Sequence, residues 1–461
     1  MRVFKHYVSK QLVALGAFEA FVLALAAYVG FVLNGLRVHE LDLWMPAFAV
    51  DIPMFVAAMT LGMVATGLYN REYGRDLADT VVRLAVSCVL AGVLLAIVFY
   101  INPITSIWRS SVAAALVIAV PLLMITRAIF LRFSSLEAMR RRVVVLGAGP
   151  KAARVEALIA TRGKRNVECV GYIGADAESC AVTGGPVFFG LNSLRLFVRE
   201  HAVDEVVVAL EERRGQLPVG ELLTCKMDGV AVVDFATFWE RETGRVDLDS
   251  LSPSWLIFSD GFPGGAIQAT LKRLFDVVTS LAMLIFSLPL MLITALAIRL
   301  ESRGPVLYLQ ERVGLNGVPF KLVKFRSMRV DAEKDGVPQW ASEADPRVTR
   351  VGSFIRKTRI DETPQLFNVL RGDMSIVGPR PERAYFVDAL RHEVPYYFER
   401  HRVKPGISGW AQLNYPYGAS TEDAKAKFQY DLYYLKNYSL FLDFVILLQT
   451  IRVIVWSEGA R

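Results

Sequence analysis

The chain has 461 residues, 53% hydrophobic and 21% charged, with a net charge of +7. It is long enough for about three domains of ordinary size, and too apolar for an ordinary soluble enzyme, so membrane segments are the first thing to look for. No stripe of basic and aromatic residues and no nucleic-acid module accompanies the positive charge, which argues against nucleic acid and fits anionic lipid and phosphorylated substrates. The four cysteines (Cys88, Cys169, Cys180, Cys225) show no CxxC and the five histidines no HxxxH or HxH spacing, so neither a disulfide framework nor a zinc site is expected.

Four apolar stretches crowd the N-terminal part: Leu12–Leu33, Met45–Tyr69, Val81–Ile101 and Val112–Phe130. Each is near the ~20 residues that cross hydrocarbon. Ala24-Leu25-Ala26 mimics a signal-peptide cleavage site, but the apolar run continues to Leu33, which favours a retained anchor. Arg2, Lys5 and Lys10 precede the first stretch, Arg71 and Arg75 lie between the second and third, and Arg132 and Arg140-Arg141-Arg142 follow the fourth. The other two loops hold only Arg37 and Arg109, while Arg83 and Arg127 sit near span ends on the basic side. The positive-inside rule therefore places the N-terminus and everything after the fourth span in the cytoplasm.

Beyond the spans, Arg142–Leu146 reads as a buried strand entering a glycine turn, followed by a helical run over Ala152–Ala160. Val167–Ile173, Val203–Leu210 and Val230–Phe235 are further strands, and the alternation with helices predicts a doubly wound parallel sheet. Gly147, Gly149 and Ala152 fit a relaxed G-x-G-x-x-A nucleotide turn. Against it, Glu168 lies inside the second strand, Asp176 lies beyond it, and Pro150 removes an N–H from the turn. A Rossmann-like domain without a redox cofactor and a regulatory nucleotide site both remain open.

Val277–Ile298 is a fifth apolar run, with Lys272 and Arg273 before it, Arg299 and Arg303 after it, and Pro289 in its middle. A proline bends or breaks a helix. A helix that enters one leaflet, bends at Pro289 and returns keeps both basic flanks in the cytoplasm; the alternative is a kinked spanning helix.

In the last third, Tyr308–Gly314 and Phe320–Met328 read as strands joined through Asn316-Gly317, delivering Lys324 and Arg326 to one end of a hairpin. Thr358–Gln365 holds the adjacent pair Asp361-Glu362 in a stretch with Arg356, Lys357 and Arg359. Glu362–Leu370 is helix-like with Gly372 as a stop, which predicts Asp361 at the N-cap, where the helix dipole and the arginines favour its ionised form. Adjacent carboxylates among arginines suit phosphoryl transfer, which depends on positioning and on neutralising oxygen charge. Asp361 as a mere cap is the plainer alternative. The apolar run Tyr438–Trp456 contains Asp443, Gln449 and Arg452, and a buried or interfacial helix fits it better than a span.

Several pieces then occur in a specific order. They are Leu271-Lys272-Arg273-Leu274-Phe275-Asp276, Gly304-Pro305, Gln310–Gly314, Lys324-Phe325-Arg326-Ser327-Met328, Arg359-Ile360-Asp361-Glu362, Gly378-Pro379-Arg380-Pro381-Glu382, Lys404-Pro405-Gly406 and Gly409-Trp410. On these residues, the chain from about Lys272 onward resembles the bacterial polyprenyl-phosphate hexose-1-phosphate transferases, monotopic phosphoglycosyl transferases that begin exopolysaccharide assembly. The four spans and the Rossmann-like domain resemble the long-form members. Pro253–Ser259 and the Gly406–Tyr417 stretch resemble the branch tied to exopolysaccharide export.

The resemblance implies a membrane protein of the bacterial inner membrane with its catalytic domain on the cytoplasmic face. Its expected layout is a four-helix transmembrane bundle (1–135), a Rossmann-like, CoA-binding-like α/β domain (140–262), a re-entrant membrane helix (268–300) and an α+β monotopic catalytic domain (301–461). It implies that Asp361 attacks the β-phosphorus of a UDP-sugar and that undecaprenyl phosphate takes the sugar phosphate from the aspartate. Glu362 is the expected Mg²⁺ ligand, a hard ion suited to carboxylates. Arg380 and Arg326, with Lys324 and Arg359, are the expected phosphate contacts, with surface ion pairing as the plainer role. Lys272, Arg273 and Asp276 are expected to guide the lipid phosphate or to anchor in inner-leaflet headgroups. Glucose or galactose 1-phosphate is the family default, and a homodimer and downstream glycosyltransferases are the expected partners. A dehydratase or epimerase built on the Gly147 turn would need a Tyr-x-x-x-Lys pair, which Tyr172 and Asp176 do not supply. A non-enzymatic scaffold of an export complex is the remaining alternative.

Overall fold

The structure, a computed structural model, describes residues 2–3, 6–7, 10–38, 41–69, 77–101, 109–133, 140–162, 167–174, 180–189, 193–212, 216–251, 261–262, 264–329, 347–416, 418 and 420–456. Lys5, Arg71, Arg75, Asp176, Tyr417 and the 253–259 segment lie outside the described residues, as do the side chains of Arg2, Lys10, Arg37 and Arg109. The chain divides into two compact units: Met1–Met124 with Leu251–Arg461, and Ile125–Ser250. The N-terminal helices thus share a unit with the C-terminal part of the chain, and the intervening unit ends at Ser250.

A short antiparallel pair, β1 (Arg2–Val3) and β2 (His6–Tyr7), precedes four long helices. These are α1 (Lys10–Val38), α2 (Leu41–Ala65), α3 (Leu77–Ile101) and α4 (Arg109–Phe133). They occupy the four apolar stretches read from the sequence. Gln11–Leu33, Leu77–Tyr100 and Ser110–Arg132 are each long and apolar enough to cross a bilayer, as is Ala266–Glu301 further on, so this is a membrane protein. Leu23, Phe31, Phe55, Met59, Met63 and Leu123 fill the bundle core, whereas Phe18, Phe21, Val89, Val93 and Val117 are more than half exposed. Helix packing in lipid favours small residues and paired polar groups. Here Tyr69 Oη donates to Glu19 at 2.6 Å, the Thr66 and Ser87 hydroxyls meet at 2.8 Å, and Arg83 Nη1 donates to the Thr66 carbonyl at 2.7 Å.

The second unit is the doubly wound sheet. Its strands are β3 (Arg141–Leu146), β4 (Val167–Gly174), β5 (Val187–Phe189), β6 (Glu205–Val208) and β7 (Ala231–Asp234). All pairings are parallel, in the order β5-β4-β3-β6-β7, with α5 (Pro150–Arg162), α6 (Leu194–Glu200), α7 (Val219–Met227) and α8 (Phe235–Thr243) as the connecting helices. Val143, Val145 and Val207 enter one apolar core and Val144, Val206 and Val208 another, as expected of central strands buried on both faces. β5, at three residues, is too short to show a strand pattern in the sequence. Arg141, read from the sequence as part of a topology signal, pairs inside this unit with Glu205 at 2.9 Å and Glu242 at 2.6 Å.

The first unit resumes with α9 (Ala266–Glu301), one helix that runs through Pro289. Lys272, Asp276, Ser280, Met291, Thr294 and Ile298 are its buried residues. Spacings of four, then three and four, put them on one face. Between them Ile285, Phe286, Leu292 and Ile293 are 63–70% exposed. Leaving each such side chain in water costs about 1.5–3 kcal/mol, so this surface needs lipid.

After α9 come the hairpin β8 (Leu307–Val313) and β9 (Pro319–Phe325), then α10 (Arg350–Lys357) and α11 (Gln365–Arg371). β10 (Ser375–Val377), α12 (Ala384–Glu393) and β11 (Gly406–Ser408) follow, and β10 pairs with β11 in parallel. The chain then runs through α13 (Trp410–Asn414), α14 (Thr421–Lys436) and α15 (Leu440–Trp456). The hairpin turns through Leu315–Gly317, where Asn316 and Gly317 both have positive φ, as the Asn-Gly reading requires. A small core of Met291, Ile298, Phe325, Ile355 and Ile360 joins α9 to β9, α10 and the turn after it. α15 packs against α2, α13, β10 and β11, with Asp443 and Arg452 buried, so it is the buried helix expected from its polar residues.

Candidate active site

The site forms where α10 stops. Thr349 caps that helix by accepting from the Gly352 N–H, and at the far end Arg359 takes a left-handed conformation with φ of 60°. The chain then makes a tight 3-10 turn over Ile360–Glu362 before α11 begins at Gln365. Asp361 is therefore not the helix N-cap that the sequence suggested. Pro364 has no N–H to give and is compatible with a helix start, so the helix begins after it and the carboxylates stay in the turn. Ile360 anchors the turn in the core beside Phe325 and Ile355.

Glu362 is gripped. Lys324 Nζ, on β9, and Arg380 Nη2 each donate to its Oε1 at 2.9 Å, while Arg359 Nη1 lies 4.0 Å from Oε2. Burial alone would raise its pKa, but Lys324, Arg380 and Arg359 overcome this and hold it well below the usual carboxylate range. Lys324 in turn is lowered by burial, with the Glu362 charge opposing. Asp361 is the contrast. It is 8% exposed, it faces a cavity, and among the described residues no group donates a hydrogen bond to its carboxylate. Burial first, and the adjacent Glu362 charge second, push its pKa up to about 6, against the pull of Lys324, Arg380 and Arg359. It is thus mostly ionised at neutral pH and poorly solvated, which suits a nucleophile.

The cavity measures about 410 Å³, within the range of small-molecule sites. Ten Lys and Arg side chains line it against three Asp and Glu, among them Arg312, Lys324, Arg356, Arg359 and Arg380, so it favours a polyanion. Arg380 stands on a turn stiffened by Pro379 and Pro381. That turn is held where β10 meets β11 at glycines: a Cβ on Gly378 would overlap the Lys404 carbonyl oxygen.

Four sequence expectations change. Arg326 lines the cavity, but its guanidinium donates to the Ser302 and Arg303 carbonyls at 2.9 and 3.0 Å and to Ser302 Oγ at 2.8 Å. It ties the hairpin to the exit of α9 rather than presenting itself to a phosphate. Arg273 donates to the Val369 and Leu370 carbonyls at 2.6 Å, capping the C-terminus of α11. Lys272 lies 3.2 Å from Asp276 and 3.0 Å from Asp443, all nearly fully buried. Asp276 accepts from Ser375 Oγ and the Ile376 N–H at 2.9 and 3.1 Å. These three residues therefore join α9 to α11, β10 and α15. A charged cluster at the foot of an apolar helix reads as an interface from sequence because its long-range partners, Asp443 and Ser375, are invisible there.

Glu362 Oε1 is taken by two cations, leaving Oε2 and the Asp361 carboxylate, and no group of three His, Cys, Asp or Glu occurs among the described residues. Mg²⁺ is commonly held by one or two carboxylates together with substrate phosphates.

The Gly147–Gly149 turn lies in the other unit. Gly147 has φ of 126°, and a Cβ there would lie 2.6 Å from the Ala209 carbonyl oxygen, so glycine is required. The start of α5, where a dinucleotide phosphate would sit, meets a carboxylate of the same chain: the Lys151 N–H donates to Glu211 Oε1 at 2.8 Å.

Comparison with known proteins is consistent with both halves. Residues 267–457 match the bacterial sugar transferase family and residues 64–220 a CoA-binding domain. A UDP-N-acetylgalactosamine-undecaprenyl-phosphate N-acetylgalactosaminephosphotransferase of Aeromonas hydrophila is 46% identical over 240 residues, covering 52% of this chain and 56% of that one. An undecaprenyl-phosphate glucose phosphotransferase of Komagataeibacter xylinus is 35% identical over 332 residues, covering 70% and 60%. The matches thus span somewhat over half the length of these two relatives. A UDP-glucose:undecaprenyl-phosphate glucose-1-phosphate transferase of Caulobacter vibrioides is 40% identical over 204 residues, 43% of this chain and 76% of the relative. With a relative covered over most of its length at this identity, and with the family's own match falling on the segment that holds Asp361, Glu362 and Arg380, the chain belongs to the bacterial sugar transferase family.

Proposed function

We propose that the protein transfers a sugar 1-phosphate from a UDP-sugar to undecaprenyl phosphate through a covalent aspartate, on the cytoplasmic face of a bacterial inner membrane. The observation that carries this reading is Asp361: a buried carboxylate with no hydrogen-bond donor among the described residues, at the wall of a cation-lined cavity and beside a Glu362 fixed by Lys324 and Arg380. In the first step Asp361 attacks the β-phosphorus, the bond from that phosphorus to the bridging oxygen breaks, and UMP leaves. In the second, an oxygen of the lipid phosphate attacks the same phosphorus, freeing Asp361 and giving a polyprenyl diphosphate sugar. Splitting the transfer lets a water-soluble donor and a lipid acceptor enter separately.

Lys324 and Arg380 hold Glu362 in its ionised form beside the nucleophile, and Arg359 and Arg356 are placed to neutralise phosphate oxygens as charge builds. Mg²⁺, with Glu362 Oε2 and the diphosphate as ligands, would supply further neutralisation of that charge. The named relatives differ in their sugar, so the donor is not assigned.

A re-entrant α9 is part of the same proposal. Its first turns contact α11, β10 and α15 through Lys272, Arg273 and Asp276, and its last turns contact β9 and α10 through Ile298 and Ser302. Both ends thus touch one catalytic domain, whereas a helix crossing ~30 Å of hydrocarbon would part them.

The test is UMP release by the protein in nanodiscs with Mg²⁺, across a panel of UDP-sugars with and without undecaprenyl phosphate. Sustained, lipid-dependent release with one donor is expected. Silence across the panel from a folded protein would favour the scaffold reading instead.

A further inference from the structure

The turn that bears Arg380 is held from outside at four consecutive carbonyls. The Gly406 N–H donates to Pro379 at 2.9 Å, Arg400 Nη2 to Arg380 at 3.0 Å, Arg312 Nη1 to Pro381 at 3.1 Å and the Val313 N–H to Glu382 at 3.0 Å. The need is physical. Pro379 and Pro381 contribute no N–H, so the turn cannot stabilise itself through a backbone ladder, and its carbonyls must find donors elsewhere. Two of the donors are backbone groups that the strands bring into place; the other two are arginines.

Arg400 is the more unusual of the pair. It lies in the 3-10 segment Tyr397–Arg402 and is 5% exposed. Its Nη1 donates to Tyr397 Oη at 2.7 Å, its Nη2 lies 2.8 Å from Asp431 Oδ2 on α14, and its Nε is buried with no hydrogen-bond partner among the described residues. A buried ion pair with an unmet donor is weak support for a fold, since apolar residues of similar size commonly serve stability as well or better. What this pair does accomplish is to fix the backbone of the residue whose side chain grips Glu362.

We infer that Arg400, with Asp431 as its counter-ion, is a positioning residue: it holds the Arg380 backbone so that the Arg380 guanidinium stays aligned on Glu362 beside the nucleophile. This rests on the function proposed above and adds to it a residue outside the motif that bears the chemistry. Misplacing a catalytic group by about 1 Å costs on the order of 10²-fold in rate. That is the scale of loss expected when the anchor goes.

The test uses the full-length protein in nanodiscs as wild type, Arg400→Lys, Arg400→Met and the double variant Arg400→Met/Asp431→Leu, which removes both charges together. Two readouts are taken: hydrogen exchange of the peptides carrying Val313 and Gly406, whose N–H groups donate to the turn, with the 143–146 strand as reference, and kcat and KM for the donor. The inference expects exchange at the Val313 and Gly406 amides to quicken at least about tenfold with the reference unchanged. It expects kcat to fall on the order of 10²-fold at nearly constant KM in both Met variants, with Arg400→Lys recovering part of the loss. Unchanged exchange, or a raised KM with kcat intact as for a direct donor contact, would overturn it. Should the Met variants fail to fold, Arg400→Lys decides by the same two readouts, since lysine carries its donors on one atom, whereas the guanidinium reaches Tyr397 from Nη1 and both Asp431 and the Arg380 carbonyl from Nη2. If the wild type turns over no donor, the reading of function fails on its own, and the exchange measurement still decides whether Arg400 fixes the turn.

Discussion

Asp361→Asn is expected to abolish turnover, by on the order of 10⁴-fold or more, and at the same time to make the protein harder to unfold. The first effect follows from removing the proposed nucleophile. The second follows from its surroundings. Burial and the Glu362 charge raise the Asp361 pKa from 3.8 to about 6. A carboxyl whose pKa is higher folded than unfolded binds its proton more tightly in the fold, so stability falls as pH rises from about 4 through 6 and stays lowered above that. At about 1.4 kcal/mol per tenfold change in proton affinity, ionised Asp361 costs the fold on the order of 3 kcal/mol at neutral pH. Asparagine keeps the shape without the charge, and the midpoint of thermal unfolding is expected to rise by several degrees, at roughly 2–4 °C per kcal/mol. The same shift gives kcat/KM an acid limb: activity falls as pH drops through about 6, because protonation takes the attacking oxygen. A fully active Asp361→Asn, or a limb near pH 4 with no stability gain, would contradict this picture of the site.

Lys272→Met is expected to be the most damaging single change for folding. Its ammonium serves Asp276 at 3.2 Å, Asp443 at 3.0 Å and the Val377 carbonyl at 3.3 Å, and Tyr434 completes the node by donating to Asp443 at 2.8 Å. Removing the cation leaves two carboxylates buried without their countercharge, which costs about 3–5 kcal/mol when a buried pair is broken from one side. The neutral triple variant Lys272→Met/Asp276→Asn/Asp443→Asn should recover most of that loss, because Asn can still accept from Ser375 and Tyr434. Thermal unfolding and monodispersity in detergent read both. If Lys272→Met unfolds like wild type but binds anionic vesicles less well, Lys272 belongs to the headgroup region after all.

The sequence was most legible where chemistry and local pattern coincide. Hydropathy located α1 to α4 and α9, apolar strand runs located β3, β4, β6 and β7, and Asn316-Gly317 located the hairpin that presents Lys324. The motif order singles out Asp361, Glu362, Lys324, Arg359 and Arg380; in the structure Asp361, Lys324, Arg359 and Arg380 line one cavity, and Lys324 and Arg380 bond Glu362. What stayed hidden depends on contacts far apart in the chain. Arg400 and Asp431 sit in unremarkable sequence and matter only because the Arg380 carbonyl lies beside them. Arg326 reads from sequence as a phosphate contact, and its bonds to Ser302 and Arg303 are of the long-range kind that sequence does not show. The N-cap expectation for Asp361 failed because local helical pattern does not show a tight turn held by the burial of Ile360.

The central claim is the covalent aspartate, and single-turnover chemistry without the lipid tests it most directly. The protein would be mixed with its donor in excess and no undecaprenyl phosphate, quenched rapidly, and both UMP and the Asp361 peptide quantified by mass spectrometry. The account predicts a stoichiometric burst of UMP and a peptide heavier by one sugar phosphate, discharged when the lipid is added. No UMP and no adduct until the lipid arrives would mean that the lipid phosphate attacks the donor directly, and that Asp361 is not the nucleophile.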